Sequence, residues 1–159
     1  MNETENLTTK ETFALAVQNH QKNNLKVAEN LYKKILKTDP DHASAHNNLG
    51  LIFQAFGEFQ KARSCYEKAI EIQPNYANAY NNLGLVLKEL GERKKAISNY
   101  EKAIEINPNF AQTHNNLGLV FYGLRELQKA ISSYQKAIEI QPNFADAHNN
   151  LGVAFNELR

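Results

Sequence analysis

Apolar residues recur along the chain at three- and four-residue spacing, the period of a helix with one buried face. Residues 77–90 show it plainly at about 100° per residue: Tyr80, Leu83, Gly84 and Leu87 gather on one side. Asn78, Asn82, Leu85 and Glu89 gather opposite, flanked by Asn81 and Lys88. A second kind of helix is expected over residues 62–72, 96–106 and 130–140, each closed by a proline. Between the two kinds, Gly57 and Gly91 supply the left-handed residue that ends a helix, and Arg125 takes that place further on. Asp41, Asn75, Asn109 and Asn143 follow the prolines directly and are expected to cap the next helix. No alternation of β-branched residues predicts a strand.

The four prolines, Pro40, Pro74, Pro108 and Pro142, are spaced by 34 residues, as are Gly50, Gly84, Gly118 and Gly152. Segments 77–110 and 111–144 agree at 22 of 34 positions. A fixed period of this length means stacked supersecondary units. The expected organisation is a disordered tail over residues 1–8 and an array over 9–159. Its repeats are 9–42, 43–76, 77–110 and 111–144, with a partial one at 145–159. Leu83-Gly84, Ala96, Tyr100, Ala103 and Pro108 recur in register as Leu49-Gly50, Ala62, Tyr66, Ala69, Pro74 and as Leu117-Gly118, Ala130, Tyr134, Ala137, Pro142. At these spacings they resemble the tetratricopeptide repeat (TPR). The first unit keeps Leu15, Ala28, Tyr32 and Pro40 but has Ala16 for the glycine and Ile35 for the second alanine. The resemblance implies an all-α, right-handed TPR solenoid of helix-turn-helix repeats, with the first helix of each pair lining a concave face.

On that face lie four Asn-Asn pairs: Asn47-Asn48, Asn81-Asn82, Asn115-Asn116 and Asn149-Asn150. Asparagine is a poor helix former, so its recurrence inside helices needs a reason. One reading is a ladder of carboxamides, each offering donors and an acceptor that match a peptide backbone. The groove then resembles the asparagine ladder of the O-linked N-acetylglucosamine transferase TPR superhelix, which implies backbone contact by Asn48, Asn82, Asn116 and Asn150. The other reading is that one asparagine of each pair bonds the neighbouring repeat and fixes the stacking. Between the amides, Leu51, Leu85, Leu119 and Val153 form an apolar row of the kind that marks an interaction surface. Lys88 is the one basic residue among these positions after the first unit, so the basic rows with which some TPRs clamp acidic tails are missing.

Charge and composition change little. Eighteen Lys and Arg balance 17 Asp and Glu, giving a net charge of +1 and no global field to draw nucleic acid or a membrane surface. The polar N-terminus shows no secretory signal, and the longest apolar stretch, residues 117–124, is too short to span a bilayer. A cytoplasmic protein is expected. Cys65 has Asn99 and Ser133 as equivalents and no histidine base beside it, so it reads as a lone thiol. His42 and His46 have zinc-like spacing, but their repeat equivalents are Tyr76, Phe110 and Phe144, and Tyr80, His114 and His148. These are aromatic packing slots. No catalytic residue, metal or cofactor is expected.

The reading is a protein-interaction module that holds a protein or peptide in extended conformation. Two rivals stand beside it: the substrate-recruiting segment of a larger transferase, and a self-assembling scaffold. Residues 145–159 hold a first helix with no second helix to cover it. Self-association through Leu151 and Phe155 is therefore a further expectation.

Overall fold

The computed structural model describes residues 7–158. Most of the expected tail, residues 1–6, and Arg159 lie outside the described residues. The described residues form nine helices and no strand: α1 (Thr9–Gln21), α2 (Leu25–Thr38), α3 (Ala43–Ala55), α4 (Phe59–Ile72), α5 (Ala77–Glu89), α6 (Arg93–Ile106), α7 (Ala111–Gly123), α8 (Leu127–Ile140) and α9 (Ala145–Glu157). Odd-numbered helices begin at the first residue of each sequence repeat. Even-numbered helices begin one turn earlier than expected, at Phe59, Arg93 and Leu127 rather than at the alanines. Two compact units result, one through Asn75 and one from Tyr76. In the first, α1 to α4 pack in succession; in the second, α5 to α9 do.

Local chemistry sets the helix ends. Thr8 opens α1 with a reciprocal capping box: its Oγ1 accepts from the Glu11 N–H at 3.3 Å, and the Glu11 carboxylate accepts from the Thr8 N–H at 2.9 Å. Later odd helices differ from expectation. Their N-caps are His42, Tyr76, Phe110 and Phe144, one residue beyond the expected Asp41, Asn75, Asn109 and Asn143. Of these four, only His42 caps with its side chain, Nδ1 accepting from the Ala45 N–H at 3.2 Å. The asparagine after the proline serves a turn instead. The Phe110 N–H donates to the Asn107 carbonyl at 3.2 Å, closing a four-residue turn with Pro108 and Asn109 at its centre. At the other helix end, Asn23, Gly57, Gly91 and Arg125 all adopt positive φ, from 61° to 79°. Each is followed by an N–H that reaches back over the last helical turn, as Glu58 does to Phe53 and Glu126 to Phe121. Arg125 therefore occupies a left-handed slot that glycine fills at lower cost.

Each unit has two tyrosines in its core. Tyr32, Tyr66, Tyr100 and Tyr134 are at most 1% exposed and are among the largest fully buried side chains. Each ring of the last three lies on the glycine of the preceding helix. A Cβ added at Gly50, Gly84 or Gly118 would sit 2.6, 2.6 or 2.5 Å from the Cε1 of Tyr66, Tyr100 or Tyr134. Ala62, Ala96 and Ala130, all 0% exposed, complete the close approach of each helix pair. The opposite face of the even helices is solvated. It carries Lys68–Glu71, Lys102–Glu105 and Lys136–Glu139 at 2.7–2.8 Å, exposed pairs that add little to stability. Glu29 is the buried carboxylate of the first unit. Hydrogen bonds from Lys33 at 2.6 Å and Lys26 at 3.0 Å hold its pKa below the usual range.

Gly84→Ala drives a methyl into the Tyr100 ring and should cost about 1–3 kcal/mol in chemical denaturation. Gly152, on the same repeat lattice but with nothing within 4 Å, should accept alanine with a gain of about 0.5–1 kcal/mol. Equal effects at the two glycines would remove the ring contact as the cause. Burial pushes the Tyr134 phenol from the ordinary 10.0 up to about 12. Its contribution to stability is intact below pH 10. Between pH 10 and about 12 the unfolded chain releases the proton first, so stability falls through that window. Tyr134→Phe should flatten this alkaline slope in denaturation curves taken at successive pH values.

Candidate binding face

Helix α5 turns its polar stripe away from Tyr100, because Asn82 lies two residues before Gly84 and so nearly opposite it on the helix. On this face Leu51, Leu85 and Leu119 are half-buried, while Val153 is 43% exposed. Lys88 is half-buried, with its ammonium 2.9 Å from the Glu89 carboxylate.

The two asparagines of each pair do different things. Asn47, Asn81 and Asn115 are buried, at 3–5% exposure. Asn48, Asn82 and Asn150 are half-buried at the surface of the face, Asn149 is exposed, and Asn116 is buried at 4%. In the second unit the amides link successive odd helices. Asn116 Nδ2 donates to Asn81 Oδ1 at 3.1 Å, and Asn150 Nδ2 donates to Asn115 Oδ1 at 3.0 Å. Asn81 Oδ1 also accepts from the Thr113 hydroxyl at 3.1 Å, and its Nδ2 donates to Asn82 Oδ1 at 3.3 Å. In the first unit Asn47 Nδ2 donates to Asn48 Oδ1 at 3.2 Å, and Asn48 Nδ2 donates to the Tyr32 hydroxyl at 3.2 Å. In the second unit Asn81 and Asn115 are thus buried acceptors, and the second asparagines of the following repeats, Asn116 and Asn150, donate to them.

Some of these partners were not singled out from the sequence. Thr113 fills a slot that is alanine at residues 45, 79 and 147; that polar departure from the repeat was the available signal. Gln112 Nε2 donates to Asn116 Oδ1 at 3.1 Å. At the α9 end Glu157 accepts from both the Tyr122 hydroxyl and the Arg125 guanidinium, and the bond to Glu157 raises the Tyr122 phenol above its ordinary pKa.

The chemical candidates fall into structural roles. His46, His114 and His148 each place Nε2 2.8–3.1 Å from the carbonyl of Pro40, Pro108 or Pro142, six residues back. The histidine slot braces the proline turn. Among the described residues no group of three His, Cys, Asp or Glu could hold a metal ion. Burial pushes the Cys65 thiol up to about 11, so it stays protonated at neutral pH. No helix is long and apolar enough to cross a membrane, among the described residues.

A tetratricopeptide-repeat profile matches residues 12–75 and 41–109, and two further repeat profiles match 99–132 and 126–158. The chain belongs to the tetratricopeptide repeat family. Its fold is the all-α TPR solenoid, and the profiles that match it are TPR profiles, none of them of a catalytic family. Among solved TPR structures it is similar to MamA, at 30% identity with a TM-score of 0.81, covering 89% of this chain and 83% of that one. It is also similar to YrrB, described as a TPR protein with an unusual peptide-binding site. There the identity is 25%, the TM-score 0.78, and the coverage 94% of this chain and 77% of that one. Pseudomonas aeruginosa PilF shares the fold, with a TM-score of 0.87 at 24% identity, covering 95% of this chain and 69% of that one. No curated protein matches the TPR chain by sequence.

The amide geometry predicts unequal roles within one pair. Asn81→Ala deprives Asn116, Thr113 and Asn82 of a partner and should cost about 1–3 kcal/mol. Asn82→Ala, at the face, should cost less than half as much, since alanine is the better helix former. Urea denaturation of the two variants measures the difference, and a reversed order would show that Asn82 is the strut.

Proposed function

We propose that the face of α5, α7 and α9 in the second unit binds a protein segment in extended conformation, reading its backbone more than its side chains. The single observation behind this is that half-buried amides and apolar residues alternate along that face. Each inter-repeat link takes one N–H of a second asparagine, Asn116 or Asn150, and a carboxamide has a further donor and an acceptor, so the second asparagine keeps bonding capacity on the side of the face. Asn82 and Asn150 are half-buried on that face, and Leu85, Leu119 and Val153 run between them. A carboxamide offers one acceptor and two donors, the complement of a peptide unit, and apolar residues between amides cover a bound chain's alternate side chains. The peptide-binding site named for YrrB supports the same reading by similarity. An interaction module of this kind performs no reaction: it selects a partner and holds it.

Screening an array of ten-residue peptides against the wild-type chain and Asn82→Ala tests the reading. One lost amide contact should weaken the bound peptides about two- to ten-fold, with the melting temperature of the variant held close to wild type. Peptides bound equally well by both proteins would reject the face as the site.

A further inference from the structure

Asn48 and Asn116 occupy the same position in the repeat but hold different bonds. Asn48 Nδ2 donates to the Tyr32 hydroxyl, and the side chain is half-buried. Asn116 Nδ2 donates instead to Asn81 Oδ1, its own Oδ1 accepts from Gln112, and it is 4% exposed. The tyrosine that stands to Asn116 as Tyr32 stands to Asn48 is Tyr100, on α6, which packs against α7. Its hydroxyl oxygen is buried and has no hydrogen-bond partner. Tyr66, by contrast, donates to Gln54 Oε1 at 2.9 Å. A buried hydroxyl left without a partner is costly, and such groups in a folded protein call for an explanation.

We propose that Asn116 is a two-position amide, and that Tyr100 is the positioning residue that holds its second position. The idea rests on the groove reading above. In the free protein Asn116 lies back on Asn81. When an extended peptide enters the face, Asn116 turns to donate one N–H to the Tyr100 hydroxyl, as Asn48 does to Tyr32. Its carbonyl oxygen and second N–H are then presented to a backbone N–H and C=O of the peptide. The turn strands no other buried group. Asn81 Oδ1 keeps the Thr113 hydroxyl at 3.1 Å, and Gln112 is exposed to water. The bond gained at Tyr100 offsets the one lost at Asn81, so the peptide has only to favour one of two closely balanced arrangements. Asn116 would then be the residue that couples occupancy of the face to the contact between α5 and α7.

The test uses the full chain with two probes: a ten-residue peptide of alternating Ser and Leu, and its twin with every second backbone nitrogen methylated. Titrations are followed by NMR of asparagine side-chain amides, with Asn116→Ala assigning the signal. On adding the first peptide the Asn116 amide signals should shift, and N-methylation should weaken binding. Tyr100→Phe keeps the ring against Gly84. It should melt no lower than wild type when free, yet bind the first peptide about five-fold more weakly, while Tyr66→Phe binds as wild type does. Three results would each overturn the two-position amide and leave the groove reading standing. They are unmoved Asn116 signals with peptide bound, equal affinity in Tyr100→Phe, or a free Tyr100→Phe that melts as far below wild type as Tyr32→Phe. Failure of the wild-type chain to bind either peptide overturns the groove reading and this proposal together.

Discussion

The contact of a tyrosine ring with a bare glycine sets the distance between the two helices of three pairs, α3–α4, α5–α6 and α7–α8. With ring carbons 2.5–2.6 Å from where a Cβ would be, Gly50, Gly84 and Gly118 can carry no side chain without moving Tyr66, Tyr100 or Tyr134. Those rings have nowhere to go, since each is at most 1% exposed. Truncating a ring of this kind costs about 3–5 kcal/mol, a large share of the stability of a small repeat. Alanines on the even helices allow the same approach from the other side. Everything on the odd helices is oriented by this contact, because fixing the glycine toward the ring fixes Asn82 and its equivalents toward the open face.

A second constraint acts between repeats, and it is polar. Apolar packing between successive odd helices is non-directional and tolerates sliding. The amide bonds from Asn116 to Asn81 and from Asn150 to Asn115 are directional and admit one register. Burial of Asn81, Asn115 and Thr113 makes a wrong register expensive, because each would lose its partner away from water. In the second unit the asparagines therefore serve the structural reading drawn from the sequence. Asn82 and Asn150 are also half-buried on the face where we propose that a peptide binds.

Sequence alone determined the helix pairs and the 34-residue lattice, because these follow from helical period and turn residues. It misplaced details that depend on which of two local bonds wins. The Asp or Asn after each proline was expected to cap a helix and instead occupies a turn, with an aromatic or His42 at the cap. Arg125, in the place of a glycine, adopts the left-handed geometry of its glycine equivalents. Both asparagines of a pair share one stripe at 100° per residue, so periodicity could not separate the strut from the surface amide. Tertiary structure decided that, by placing Asn81 against α7 and leaving Asn82 at the face. It also decided that the equivalent residues Asn48 and Asn116 take different partners and that the Tyr100 hydroxyl has none. Such choices depend on side chains from neighbouring repeats meeting within 3 Å or so. A repeating sequence specifies the positions identically, but small differences such as Thr113 for alanine tip each amide one way or the other.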